Sequence, residues 1–113
     1  MPSSLLVIGS SAFTQNRLTS VIIPDNVISI GGYAFRNNLL TSVIIGDGVT
    51  SIDEYYAFYE NNNLRSVTIG ANVSMPDFYW TFSNNFRQNY YDNNRRAGTY
   101  TYDGRNWNFN PRR

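Results

Sequence analysis

LTSVIIPDNVISIGGYAF, residues 18–35, is a segment to which the chain returns twice. It recurs as LTSVIIGDGVTSIDEYYAF at residues 40–58, and in a weaker form as LRSVTIGANVSMPDFYWTF at residues 64–82. The leucines that open the three segments are 22 and 24 residues apart. Residues 2–13, PSSLLVIGSSAF, match the second half of the same unit. A period of this length predicts a repeat architecture in which successive coils stack on one another.

Each repeat predicts two short strands that are separated by a turn. In the first repeat, residues 21–23 are β-branched and favour a strand. Pro24, Asp25 and Asn26 then break that strand, and residues 27–30 form the second one. Stacking the coils places equivalent apolar side chains above one another. The predicted ladders are Leu18, Leu40 and Leu64; Val21, Val43 and Val67; Ile23, Ile45 and Ile69; Val27, Val49 and Val73; and an aromatic spine of Phe13, Phe35, Phe58 and Phe82.

An asparagine recurs at the corner that precedes each repeat. Asn16, Asn38 and Asn62 each lie two residues before the opening leucine. Because buried backbone groups need partners, we expect these side chains to bond the backbone of the neighbouring coil. In the third repeat, Pro76 is expected at the position that isoleucine occupies in the first two, where it helps to close the array.

Residues 83–113 do not repeat and predict a C-terminal cap. Ser83 is a suitable N-cap for a short helix that carries Phe86 and Tyr90 four residues apart, on one face. An Asp-Gly pair at residues 103–104 lies between two segments that alternate polar and aromatic residues, which predicts a hairpin. The expected domains are therefore repeats over residues 1–82 and a helix-and-hairpin cap over residues 83–113.

The composition of the 113-residue chain argues against an enzyme and against a cofactor. It contains no Cys, no His and no Lys, so thiolate chemistry and the commonest general base and metal ligand are missing. Asp53 and Glu54 are adjacent carboxylates, but neighbouring residues point apart, and we predict exposed corner charges. No apolar run approaches the ~18 residues of a membrane span, so membrane insertion is not expected.

The basic residues are concentrated after the repeats. Residues 1–83 contain three Arg and six acidic residues, whereas residues 84–113 contain six Arg and two acidic residues. Arginines among Tyr and Trp resemble a surface for single-stranded nucleic acid in composition only. We predict instead that these Arg heads cover aromatic faces, and no nucleic-acid partner is expected. The side chains concerned are Arg87, Arg95, Arg96 and Arg105.

Residues 1–13 form only half of a repeat and lack a polar capping unit. Solenoids need capped ends, because a terminal coil otherwise exposes its core face. Two explanations stay open: the chain is a piece of a longer repeat protein, or the open coil is buried by self-association through Leu5, Leu6 and Ile8.

The unit AFxxNxLTSVxIPxxVxSIGxxAF resembles the BspA-like class of bacterial leucine-rich repeats, over residues 2–82. A shorter and weaker resemblance covers the tail from Ala97 to Trp107. The resemblance implies a β-rich leucine-rich-repeat solenoid with a short parallel sheet on one face. It also implies a cell-surface or secreted protein that binds host matrix proteins or other cells. The class shares no set of functional residues. The matching residues are Ala12, Phe13, Asn16, Leu18 to Pro24, Val27, Ser29, Ile30, Gly31, Ala34 and Phe35.

The strand positions that point away from the core are the candidate binding site. Curved repeat proteins use such surfaces to hold partners, which predicts a non-enzymatic adhesion module with a protein ligand in the extracellular matrix or on another cell. Two alternatives stay open: Ile and Thr simply suit a sheet surface, or these are terminal coils of a longer array with no ligand of their own. The predicted protein-binding residues are Thr19, Ile22, Thr41, Ile44, Arg65 and Thr68.

Overall fold

A computed structural model describes residues 6–9, 13–52, 57–75 and 86–112. Eight short strands and one helix occur in this part of the chain. They are β1 Leu6–Ile8, β2 Ser20–Ile23, β3 Val27–Ile30, β4 Ser42–Ile45, β5 Ser51–Ile52, β6 Ser66–Ile69, α1 Phe86–Asp92, β7 Gly98–Tyr102 and β8 Trp107–Pro111.

The strands form two sheets, and each repeat contributes to both. The three-stranded sheet has the order β1-β3-β5, and the five-stranded sheet has the order β2-β4-β6-β7-β8. Pairing between repeats is parallel, with Val21 opposite Val43 and Ser29 opposite Ser51. These partners are 22 residues apart, so the sequence period sets the register. The two predicted strands of each repeat are confirmed.

Stacked apolar side chains form one continuous core. Val43, Ile45, Val67 and Ile69 are fully buried, as are the leucines of the second and third repeats. The phenyl rings of Phe13 and Phe35 lie 5.2 Å apart at 8°, and those of Phe35 and Phe58 lie 5.1 Å apart at 7°. These contacts confirm the aromatic spine up to residue 58, and its predicted fourth member, Phe82, lies outside the described residues.

The corner asparagine of the third repeat is Asn61, so the prediction of Asn62 was wrong. Asn38 accepts a hydrogen bond from the backbone N–H of Leu18 at 3.2 Å and donates to the carbonyl of Phe13 at 2.8 Å. Asn61 is fully buried and bonds the preceding coil, whereas Asn62 is exposed. Asn61 lies three residues after a spine phenylalanine, as Asn38 does, so the inserted residue follows the corner.

The third repeat also loses one residue inside its second extended segment. Ser51 pairs with Ser74 in parallel, whereas the other partners in this sheet are 22 residues apart. Met75 follows Ser74, is buried, and therefore takes the position of Ile52. The expectation that Pro76 occupies this position was wrong, and Pro76 itself lies outside the described residues.

Helix α1 packs on the last coil through its two aromatic residues, as predicted. Phe86 and Tyr90 are fully buried, with ring centroids 5.8 Å apart. The hydroxyl of Tyr90 donates to the carbonyl of Gly70 at 2.6 Å and accepts from the backbone N–H of Val73 at 3.1 Å. The proposed N-cap, Ser83, lies outside the described residues.

The predicted hairpin is confirmed, and it extends the sheet. Strand β7 pairs antiparallel with β6, and β8 pairs antiparallel with β7. Tyr100 lies opposite Val67 and is fully buried, and its ring stacks on Phe109 with centroids 4.5 Å apart. Arg112 bonds Asp47 across the turn of the second repeat at 2.8 Å. The division at residue 82 stays a prediction.

Candidate protein-binding surface

One face of the five-stranded sheet is free of covering elements in the described part of the chain. Because side chains alternate across a strand, every second residue points away from the core. Directly paired residues share a face, so each row of this surface crosses all five strands. We call this surface the open face; it consists of Ser20, Ile22, Ser42, Ile44, Ser66, Thr68, Thr99, Thr101, Asn108 and Asn110.

Two isoleucines form the apolar part of the open face. Ile22 and Ile44 are directly opposite each other in the parallel pair β2–β4. Ile22 is 70% exposed and Ile44 is 44% exposed. Scattered apolar residues on a surface are ordinary, but two side chains that touch in register make a continuous apolar strip at one side of the face.

Hydroxyl and amide groups form the rest of the open face. The hydroxyl oxygens of Thr68 and Thr99 are 3.0 Å apart and share a hydrogen bond across the β6–β7 junction. Thr101 and Asn108 form the next pair along the hairpin. The face therefore changes from apolar at β2 and β4 to polar at β7 and β8.

The remaining predicted residues lie at the edge of the open face, where the strands begin. The hydroxyl of Thr41 donates to the carbonyl of Thr19 at 3.2 Å. The guanidinium carbon of Arg65 lies 5.4 Å from the centroid of the Tyr102 ring, a cation–π contact. Thr19, Thr41 and Arg65 are all exposed. The structure thus brings the six predicted residues together on one side of the sheet.

Sequence reasoning missed the contribution of the hairpin to this surface. Thr99, Thr101, Asn108 and Asn110 were assigned to a cap, whereas they continue the rows that Ser66 and Thr68 begin. The signal was present in the sequence, because the polar residues of TYTY and WNFN alternate with aromatic ones, as the two faces of a half-buried strand do.

Comparison with protein families now decides the relationship. A family model described as a BspA type leucine rich repeat region, with six copies, matches residues 1–106. The chain belongs to this family. Neither the curated proteins nor the solved structures with which the chain was compared gave a significant match. The BspA-type match extends beyond residue 82 into the hairpin, where the sequence resemblance was weaker.

A second exposed apolar surface lies at the first coil of the BspA-type repeats. Val7 is 62% exposed and Phe13 is 43% exposed, whereas Phe35, the next residue of the spine, is buried. A hollow of about 380 Å³ opens between strands β1 and β2, lined by Ile8 and Val21 among others. Of the residues predicted for self-association, Ile8 lines this hollow. Leu5 lies outside the described residues, and only the backbone of Leu6 is described.

The ionisable groups of the BspA-type chain have structural surroundings. Burial raises the pKa of Tyr100 to about 12, and it raises the pKa of Tyr90 as well. The N–H groups of Asn106 and Arg105 donate to Asp103 and lower the pKa of that carboxyl. No group of three or more metal-ligating side chains occurs in residues 6–9, 13–52, 57–75 and 86–112. Within those ranges, no helix is long and apolar enough to cross a membrane.

Proposed function

We propose that this chain is a protein-binding module that holds its partner on the open face. Leucine-rich repeats of this family are generally non-enzymatic repeat proteins, so binding is the activity to explain. The observation that carries the proposal is the exposed pair Ile22 and Ile44, held in register at one side of a five-stranded sheet.

The chemistry of the face fits a protein partner. Protein interfaces combine a small apolar centre with a polar rim that carries hydrogen bonds. Ile22 and Ile44 supply the apolar contact, and Thr68, Thr99 and Arg65 supply donors and acceptors around it. The side chains are short and β-branched or fixed by bonds to each other, so little conformational entropy is lost when a partner binds.

The size of the face predicts weak binding by this chain alone. Five strands spaced by roughly 4.8 Å span about 19 Å, and four residues of strand span about 13 Å. The product is roughly 250 Å², about a third of the ~800 Å² that one partner contributes to a standard interface. We therefore expect micromolar affinities, which further coils of a longer array would strengthen.

The wider setting rests on the family. We infer that the coils wind as a leucine-rich-repeat solenoid, because each repeat adds one strand to each of two parallel sheets. BspA-type repeats generally occur in bacterial surface or secreted proteins, which supports an extracellular adhesion role with a ligand in the matrix or on another cell. We also propose that a second copy of the chain covers the hollow at the first coil, beside Phe13 and Val7.

The experiment is a surface plasmon resonance panel of extracellular matrix and plasma proteins. Wild-type protein and the Ile44→Asp variant are passed over the same surfaces, after circular dichroism has shown that both are folded. We expect saturable binding of the wild type to at least one member and a clear loss in the variant. If the wild type binds none of them, the chain is a structural spacer within a longer array, and the proposal is wrong.

A further inference from the structure

A separate cleft lies between helix α1 and the turn that joins β7 to β8. Tyr102 and Trp107, paired across the end of the hairpin, form its aromatic wall, with ring centroids 5.1 Å apart at 38°. Its volume of about 390 Å³ lies within the roughly 300–1,000 Å³ of small-molecule sites. We call it the aromatic cleft.

The walls of the aromatic cleft are held in place without a ligand. The indole of Trp107 packs on the buried ring of Phe86, with centroids 5.1 Å apart at 66°. The turn is held by Asp103, whose carboxylate accepts from the backbone N–H groups of Arg105 and Asn106, both at 2.8 Å. A preorganised site of this kind loses little entropy when a ligand binds.

The polar groups of the cleft are mainly amides. Gln88 and Asn89 enter it from α1, and Asn106 enters it from the turn. A carboxamide both donates and accepts hydrogen bonds, as a hydroxyl does, whereas Arg can only donate. The amide of Gln88 is oriented by Asp92, to whose carboxylate it donates at 2.9 Å. Amides in this arrangement suit a ligand that carries many neutral hydroxyls.

The charges of the cleft argue against an anionic ligand. Arg105 and the carboxylate of Asp92 are the two charged side chains among the residues that line it, and they are opposite in sign. Three other arginines of this region lie over rings elsewhere. Arg87 is 4.0 Å from the Tyr91 centroid, and Arg95 and Arg96 make similar contacts. A nucleic-acid site needs several phosphate-neutralising cations, and this cleft presents one.

We propose that the aromatic cleft binds a neutral saccharide. One face of a sugar ring presents C–H groups, which pack against the electron-rich faces of Tyr and Trp. Its hydroxyls lie around the ring edge, where Gln88, Asn89 and Asn106 meet them. This site is independent of the open face, so either can fail while the other stands.

The test uses a glycan microarray that carries neutral and anionic oligosaccharides, with single-stranded oligonucleotides and peptides on the same slide. Full-length wild type is compared with Asn106→Ala and Gln88→Ala. Asn106→Ala keeps the turn, because Asp103 binds the backbone of that residue. Asn110→Ala is the matched control, an exposed asparagine of the same hairpin that lies on the open face.

We expect neutral glycans to retain the wild type and the Asn110→Ala variant equally. Each cleft variant should lower the apparent affinity about ten-fold, as the loss of one well-placed hydrogen bond does. Ile44→Asp should bind glycans normally. The proposal is overturned if no neutral glycan retains the protein, if oligonucleotides or peptides are retained instead, or if the cleft variants bind as the wild type does.

Discussion

Asn61 is the side chain on which the third coil depends most. Its amide bonds three backbone groups of two coils, the N–H of Leu40 at 3.2 Å and the carbonyls of Phe35 and Phe58 at 2.9 and 2.8 Å. We predict that Asn61→Ala lowers the free energy of unfolding by about 3 kcal/mol, because buried backbone groups lose their partners. Urea denaturation measures the change.

The neighbouring asparagine supplies the control. Asn62 is exposed, so Asn62→Ala should change the stability by less than about 0.5 kcal/mol. Equal losses in the two variants would show that the corner is assigned wrongly. The sequence predicted the role but chose the wrong residue, because residues 61–63 are all Asn and only the distance from Phe58 separates them.

Tyr100 makes the stability sensitive to alkaline pH. Burial raises its pKa to about 12, from about 10 in an unfolded chain. Between these values the unfolded chain has released the proton and the native protein keeps it, so the free energy of unfolding falls as the pH rises. We expect a smaller fall in Tyr100→Phe when urea unfolding is compared at about pH 9 and about pH 11. Parallel pH profiles for the two proteins would refute this.

At the scale of elements, Asp103 organises the turn of the β7–β8 hairpin. Its carboxylate accepts two backbone N–H groups, and its pKa is lowered by them, so the bonds weaken as the pH falls through that lowered value. We predict that Asp103→Ala speeds amide hydrogen exchange at Arg105 and Asn106 several-fold. Asp92→Ala is the control, since its carboxylate bonds the side chain of Gln88. Unchanged exchange in Asp103→Ala would contradict the assignment.

The elements themselves were predictable, whereas one pairing between them was not. The β-branched segments of each repeat and the Asp-Gly turn predicted the strands and the hairpin, because local chemistry sets both. The pairing of β7 with β6 depends on which sheet edge is left open after the third coil, and no local pattern in TYTY encodes that choice. The open face was therefore predicted over three strands and extends over five.

At the scale of the whole molecule, the first coil should mediate self-association. Val7, Phe13 and Ile22 are exposed together around an apolar hollow, and β1 and β2 are edge strands among those described. We predict that the mass from light scattering rises above 12.9 kDa with concentration. Val7→Asp should lower this association about ten-fold or more, because it places a charge in the contact. A mass that stays monomeric at every concentration would contradict the prediction.

The measurement that bears most directly on the proposed function compares two variants against the partner found in the binding panel. Ile44→Asp places a charge on the open face, and Val7→Asp places the same charge on an exposed strand of the other sheet. Below the concentration of self-association, we predict that Ile44→Asp raises the Kd about thirty-fold or more, a loss of ~2 kcal/mol, and that Val7→Asp leaves it within about two-fold. Equal effects of the two variants, or no effect of Ile44→Asp, would show that the partner binds elsewhere.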